Sequence, residues 1–371
     1  MLTSGRRRPV QRRDSVVLAA LVLAGAAGAL LLAAPTASAG VANAGIPGAP
    51  SSDPIAGLPW GVYSGVHDEV FPAYRAARGE NRRLLGLVTR RPRMRWFGAW
   101  YADRTARAIA SEYVANSTEG RDDVLSQMAV FRVDPWEGQA CVRLPTARQQ
   151  ASYRRWIDAF AAGIGDARVA LVLQPDLPFA GCAPHHSRLP LELVAYAARR
   201  FTSLPHTTVY LDAGSADWAS VTKAAWLLRG GGVRYVRGFA LNATHYDSTE
   251  SEIRYGSKVA AALARSGLPG KHFVVNTSDN GRPFTYQEYF PHSGFDNARP
   301  CHSSRDSRCV TLGIPPTADV ANPKWHLSRA AQRIATRLVD GYLWIGRPWL
   351  VRQAAPFDLQ RSLAVARSTP F

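Results

Sequence analysis

Seven short apolar, β-branched or aromatic runs recur along the chain, at 95–100, 127–133, 167–173, 207–212, 236–241, 272–276 and 341–345. A strand wetted on one face alternates apolar and polar residues. Several of these runs are apolar almost throughout, so they are expected to be buried on both faces, as in a parallel sheet. Between them lie stretches with a helical repeat. Segment 103–114 places Ala106, Ile109, Ala110 and Tyr113 on one face, and 151–164 does the same with Trp156, Phe160 and Ile164. Segments 191–201, 218–228, 251–266 and 326–339 behave similarly. Strand–helix alternation of this kind predicts an α/β architecture with right-handed crossovers. No internal repeat or second composition regime interrupts it, so residues 58–371 read as one domain. An open doubly wound sheet would usually carry a Gly-rich phosphate loop after its first strand. Neither G-x-G-x-x-G nor a Walker pattern occurs, so a closed, TIM-like β/α barrel of seven parallel strands is the expected fold.

The N-terminus departs from this pattern. Arg6, Arg7, Arg8, Arg12 and Arg13 form a cationic head, residues 16–34 are an unbroken apolar run, and Ala37-Ser38-Ala39 precede Gly40. That order is the layout of a cleavable secretory signal over residues 1–39, with a retained membrane anchor as the alternative. Residues 40–57, rich in Ala, Gly, Pro and Ser, read as a flexible lead. Export implies an oxidising compartment, hence two disulfides from the four Cys. Three pairings are possible. Cys141–Cys182 with Cys301–Cys309 is the simplest, because each pair flanks one local region.

Composition bounds the partners. The 371 residues carry a net charge of +17, and removing the five Arg and one Asp of the signal leaves +13. The basic residues are mostly Arg, scattered along helix-like segments without interleaved aromatics. Nucleic acid is therefore not an expected partner, whereas contact with an anionic cell surface is. A monomer is expected.

Chemistry in such a barrel sits at the C-terminal strand ends. After the third run comes Gln174-Pro175-Asp176, which puts an Asp on rigid backbone at the barrel mouth. Burial there would raise its pKa, as a general acid requires. A cap for the following loop is the competing role. After the second run come Asp134, Trp136 and Glu137; after the fourth, Asp212, Ser215, Asp217 and Trp218; after the fifth, Asn242, Thr244, His245, Tyr246 and Asp247. After the sixth come Asn276, Ser278 and Asp279, and after the seventh, Gly346-Arg347-Pro348-Trp349. Carboxylates, amides, hydroxyls and indoles together suit a sugar, whose C–H face stacks on aromatic rings while its hydroxyls need polar partners. Trp96, Trp156 and Trp226 lie within regular elements and read as core; Trp218 and Trp349 lie at the mouth. His185 and His186 are adjacent, which is poor geometry for shared ligation, and no H-E-x-x-H, C-x-x-C or G-x-S-x-G pattern occurs. No metal or other cofactor is implied.

These strand-end residues resemble glycoside hydrolase family 6, secreted cellulases built on a distorted seven-stranded β/α barrel. The likeness runs from about residue 58 to 352. It is carried by Arg95-Trp96-Phe97-Gly98 and by segments 172–178, 210–218, 237–246, 273–281, 313–317 and 340–348. The resemblance implies that Asp176 is the proton donor, with Gln174 in place of a usual Glu. It implies sugar-binding roles for Asp212, Ser215 (a His in the family pattern), Trp218, Asn242, His245 and Tyr246. It also matches Cys141–Cys182 to a family disulfide bracketing the acid loop. Two departures touch chemistry. Gln139-Ala140-Cys141 stands where Arg-Asp-Cys is usual, and residues 346–353 hold no carboxylate where a base is proposed.

The resulting expectation is a secreted glucanase acting on β-1,4-glucan or a related polysaccharide by inversion, with Asp134, Glu137 or Asp279 supplying the missing carboxylate. A catalytically silent glycan-binding protein on the same barrel is the alternative.

Overall fold

The computed structural model describes residues 53–303 and 305–371. Residues 1–39, expected to be a signal, and residues 40–52 of the expected lead lie outside the described residues. The end of that lead is packed: Ile55 is fully buried, and its carbonyl accepts from Trp60 Nε1 at 2.9 Å.

The strands are β1 (Arg95–Gly98), β2 (Ser126–Phe131), β3 (Val169–Leu173), β4 (Thr207–Asp212), β5 (Gly238–Leu241), β6 (His272–Asn276) and β7 (Val339–Leu343). They form one seven-stranded parallel sheet in sequence order. The helices are α1 (Phe71–Ala76), α2 (Gly79–Thr89), α3 (Ala106–Thr118), α4 (Glu137–Ala140), α5 (Ala147–Ile164), α6 (Leu189–Thr202), α7 (Val221–Gly230), α8 (Thr249–Arg265), α9 (Arg329–Leu338) and α10 (Leu359–Arg367). Caps place several of the helix starts. Ser220, Ser248 and Ser328 each accept from the backbone N–H three residues on, which fixes the starts of α7, α8 and α9.

The unbroken apolar strands follow from burial on two sides. Along β3, Val169, Leu171 and Leu173 face the helices, while Ala170 and Val172 face the barrel interior. Along β2, Met128 and Val130 face out and Ala129 and Phe131 face in. Inward positions combine small and large side chains, with Ala129, Ala170 and Ala240 leaving room for Trp96, Phe131 and Tyr210 to fill the interior.

The expected closure does not occur. β1 and β7 share no ladder; Met94 N–H donates to the Trp344 carbonyl and Trp96 Nε1 to the Ile345 carbonyl, each at 2.8 Å. β7 ends at Leu343, before it can pair along β1. The apolar faces of two helices cover the gap instead: Leu84, Leu85 and Val88 of α2 and Leu363, Val365 and Ala366 of α10 pack with Trp344, Trp349 and Leu350. The result is a curled, open parallel sheet, a distorted β/α barrel with one seam.

Candidate active site

A cleft of about 1110 Å³ lies at the C-terminal strand ends. Asp176 opens into it from the end of β3. Four polar residues around the strand ends have left-handed backbone: Glu137 (φ 49°), Gln174 (φ 56°), Asp176 (φ 63°) and Asn242 (φ 65°). That conformation costs roughly 1–2 kcal/mol per non-Gly residue, so surrounding bonds must enforce it. Gln174 supplies two of them: its Oε1 accepts from the N–H groups of Arg132 (3.2 Å) and Val133 (3.1 Å), tying the end of β3 to the end of β2. The Cys141–Cys182 disulfide joins the loop after β2 to the loop carrying Asp176, and Cys301–Cys309 closes a second loop.

Burial pushes the Asp176 carboxyl up to about 6. A hydrogen bond from Thr244 Oγ1 (2.7 Å) opposes this, and the negative charges of Glu137 and Asp296 reinforce it. Glu137 and Asp296 both line the cleft, and Glu137 is itself raised, first by burial and then by Asp296. Across the cleft wall, Asp217 accepts from Ser215 Oγ (2.6 Å), from the Tyr286 N–H (2.7 Å) and bonds His245 Nδ1 (2.7 Å). Burial raises Asp217, but these bonds and the His245 charge outweigh it and hold the carboxyl below the usual range. His245 stacks flat on Trp218, with centroids 4.8 Å apart and planes at 13°, and both line the cleft.

Several expected site residues lie elsewhere. Asp212 is 1% exposed; burial and the charge of Asp176 push its pKa well up, and its Oδ2 accepts from the Gly214 N–H at 3.1 Å. It supports the backbone under Asp176 rather than facing the cleft. Ser215 is fully buried, its Oγ within hydrogen-bond distance of both Asp217 Oδ1 and Glu252 Oε1, each at 2.6 Å. Asn242 is buried and bonds the Asp247 carbonyl at 3.0 Å, and Tyr246 is buried with its hydroxyl on the Phe295 carbonyl at 3.1 Å. Trp349 is 2% exposed against Trp344, because the chain after β7 turns its indole into the seam core. Asp279 is fully buried, pushed up to about 8 mainly by burial, and bonded to Asn276 Nδ2 at 2.8 Å. Asp134 is held by Arg143 (3.4 Å) and Gln149 (2.8 Å), away from the cleft lining. Of the three candidate carboxylates, Glu137 alone faces the cleft.

Other lining residues escaped the sequence reading. Trp96, expected in the core, is 7% exposed but presents to the cleft, and Trp226, also expected there, is 39% exposed. Trp100 is half exposed on the lining with Trp136. Glu69, Tyr286 and Asp296 come from loops with no strand-end signal, and only the run of aromatics at 284–295 hinted at a wall.

A family model, Glycosyl hydrolases family 6, matches residues 62–348. Endoglucanase A of Cellulomonas fimi is 30% identical over 225 residues, covering 60% of this chain and 47% of that protein, so the chain spans about half the length of that relative. Endoglucanase 1 of Streptomyces halstedii is 30% identical over 248 residues, covering 65% of this chain and 75% of that protein. Among solved structures, the endoglucanase Cel6 from Mycobacterium tuberculosis, in complex with methyl-cellobiosyl-4-deoxy-4-thio-β-D-cellobioside, superposes with a TM-score of 0.68 at 26% identity, covering 85% of this chain and 99% of that one.

Proposed function

The chain belongs to glycosyl hydrolase family 6, and from that premise we propose that it hydrolyses β-1,4-glucan or a related β-glycan, with Asp176 as the proton donor in an inverting reaction. One observation carries this reading: a half-buried carboxyl, held near 6, opens into a large cleft walled by Trp218, Trp136 and Trp100. A carboxyl with that pKa is partly protonated near neutrality and can give its proton to a leaving oxygen. The rings offer faces for successive pyranose units. The second carboxylate is Glu137, which shares the cleft and is felt electrostatically by Asp176; its role is to take the proton of the attacking water. Endoglucanase names among the relatives support the substrate class.

The test is release of reducing ends from soluble β-glucan, with the anomer followed by NMR. An α product that disappears in Asp176→Asn supports the reading; a β product excludes inversion. Loss of rate in Glu137→Gln with recovery in added azide supports the base, whereas an unaffected Glu137→Gln removes it. A silent glycan-binding protein is the second reading, favoured by the absence of any carboxylate in residues 346–353. It requires saturable binding without turnover, unchanged in Asp176→Asn. Export through cleavage after Ala39 is part of the proposal, supported by the signal layout and the two disulfides. N-terminal sequencing of the secreted protein checks it.

A further inference from the structure

The end of the cleft nearest the seam holds more positive than negative charge. Arg347, just after β7, lies with its guanidinium 4.8 Å from the Trp96 ring centroid. That side chain makes no hydrogen bond and no ion pair among the described residues, and its Nε is buried without a partner. Arg95 of β1 is its neighbour. Arg95 donates to Tyr101 Oη at 2.7 Å and to the His67 carbonyl, and meets Glu69 Oε1 at 3.4 Å, but its Nε is also buried and unpartnered. Burial lowers Arg347 to about 10; Glu69 opposes the shift and the Arg95 charge adds to it. Glu69 is the single carboxylate at ion-pair distance from either guanidinium among the described residues. Arg352 lines the cleft as a further cation. The other lining carboxylates, Glu137, Asp176, Asp217 and Asp296, make no ion pair with Arg95 or Arg347.

A desolvated cation without an anion is unfavourable, and the cost falls when an anion arrives. We infer that Arg347, backed by Arg95, forms a subsite for a sugar carrying a carboxylate, a uronate, so that the preferred glycan of this cleft is acidic. The guanidinium fork matches a planar carboxylate with two parallel hydrogen bonds, while a neutral sugar offers hydroxyls that leave the charge uncompensated. Trp100, half exposed on the same lining, supplies a ring face for the pyranose that bears the carboxylate, while Trp96 backs the guanidinium. This inference rests on the reading that the cleft takes a glycan, and it adds the charge of that glycan.

The test is calorimetric binding at low salt, in the Asp176→Asn background to prevent turnover. The ligands are a β-1,4-linked glucuronic acid tetramer, cellotetraose, and cellotetraose sulfated at the primary hydroxyls. The expected result is about tenfold tighter binding of the uronate tetramer than of cellotetraose. Added Arg347→Gln should abolish that preference, and a circular-dichroism melt matching that of the Asp176→Asn parent shows that the variant is folded. If Arg347→Gln fails to fold, Arg347→Lys, which keeps the charge and loses the fork, should weaken the uronate tetramer alone. Equal or tighter binding of cellotetraose overturns the inference and leaves the glucanase reading standing. Tighter binding of the sulfated ligand than of the uronate, or a uronate preference that survives Arg347→Gln, also overturns it. Binding of none of the three overturns both.

Discussion

At the β3 to β5 side of the cleft, Asp176, Asp217 and His245 each have partners: Thr244 for Asp176, three bonds for Asp217, and Asp217 with the Trp218 face for His245. At the β1/β7 seam the reverse holds, with two guanidinium Nε atoms buried and unpartnered and one carboxylate between them. The first side is preorganised, which is what a proton transfer demands of its environment. The second carries an unmet electrostatic requirement, which is what selective binding exploits. Covalent structure follows the same division. The Cys141–Cys182 bridge stakes the acid loop, while the seam is spanned by two hydrogen bonds.

The most damaging way to probe the preorganised side is Asp176→Asn. It should lower kcat about 10²–10⁴-fold, as expected for loss of a general acid, with oligosaccharide affinity retained; reducing-end assays and calorimetry read the two quantities separately. Next in size is the covalent stake. Removing Cys141–Cys182 by paired Ser substitution should cost about 4 kcal/mol of stability, and removing Cys301–Cys309 about 2–3, because the first closes the longer loop; denaturant titration measures both. A smaller effect comes from protonation. Asp176 rises from 3.8 to about 6 on folding, so the folded chain binds that proton more tightly. The associated stability is full below the unfolded value and is lost as pH rises through about 6. Asp176→Asn should therefore be more stable than the parent by roughly 2–3 kcal/mol at pH 7, with the gap closing towards pH 4. The same titration predicts that kcat/KM declines as pH rises through about 6. The smallest expected change is in Trp218→Ala, which loses one stacking face and should raise KM about 3–10-fold with little change in kcat.

The preorganised side was the part legible in the sequence. Asp176, Trp218 and His245 follow apolar strands directly, and strand-end position is visible as the point where an apolar run stops. The strands themselves were legible to within two residues because both faces are buried. Which way a strand-end side chain points was not legible. Asn242, Tyr246 and Asp212 share that position with Asp176, yet turn inward to satisfy backbone groups. The seam was illegible for a different reason. Closure depends on whether β7 runs far enough to pair with β1, a matter of register between chain segments about 240 residues apart, and Trp349 and Arg347 exchange the roles their position alone would assign. Helices α1, α2 and α10 went unread because α1 is one short turn and a half, and α2 and α10 interleave Arg and other polar residues with their apolar ones.

The Thr244 hydroxyl donates to Oδ1 of Asp176 and so keeps a lone pair on that oxygen engaged. When the carboxyl is protonated, its hydrogen is left to Oδ2. Two atoms that are equivalent by covalent symmetry thus become unequal, and the group acquires a single direction of delivery. An Asn in its place would present the same carbonyl to the threonine and an amide where the acidic hydrogen had been, preserving the shape of the donor while removing what it has to give.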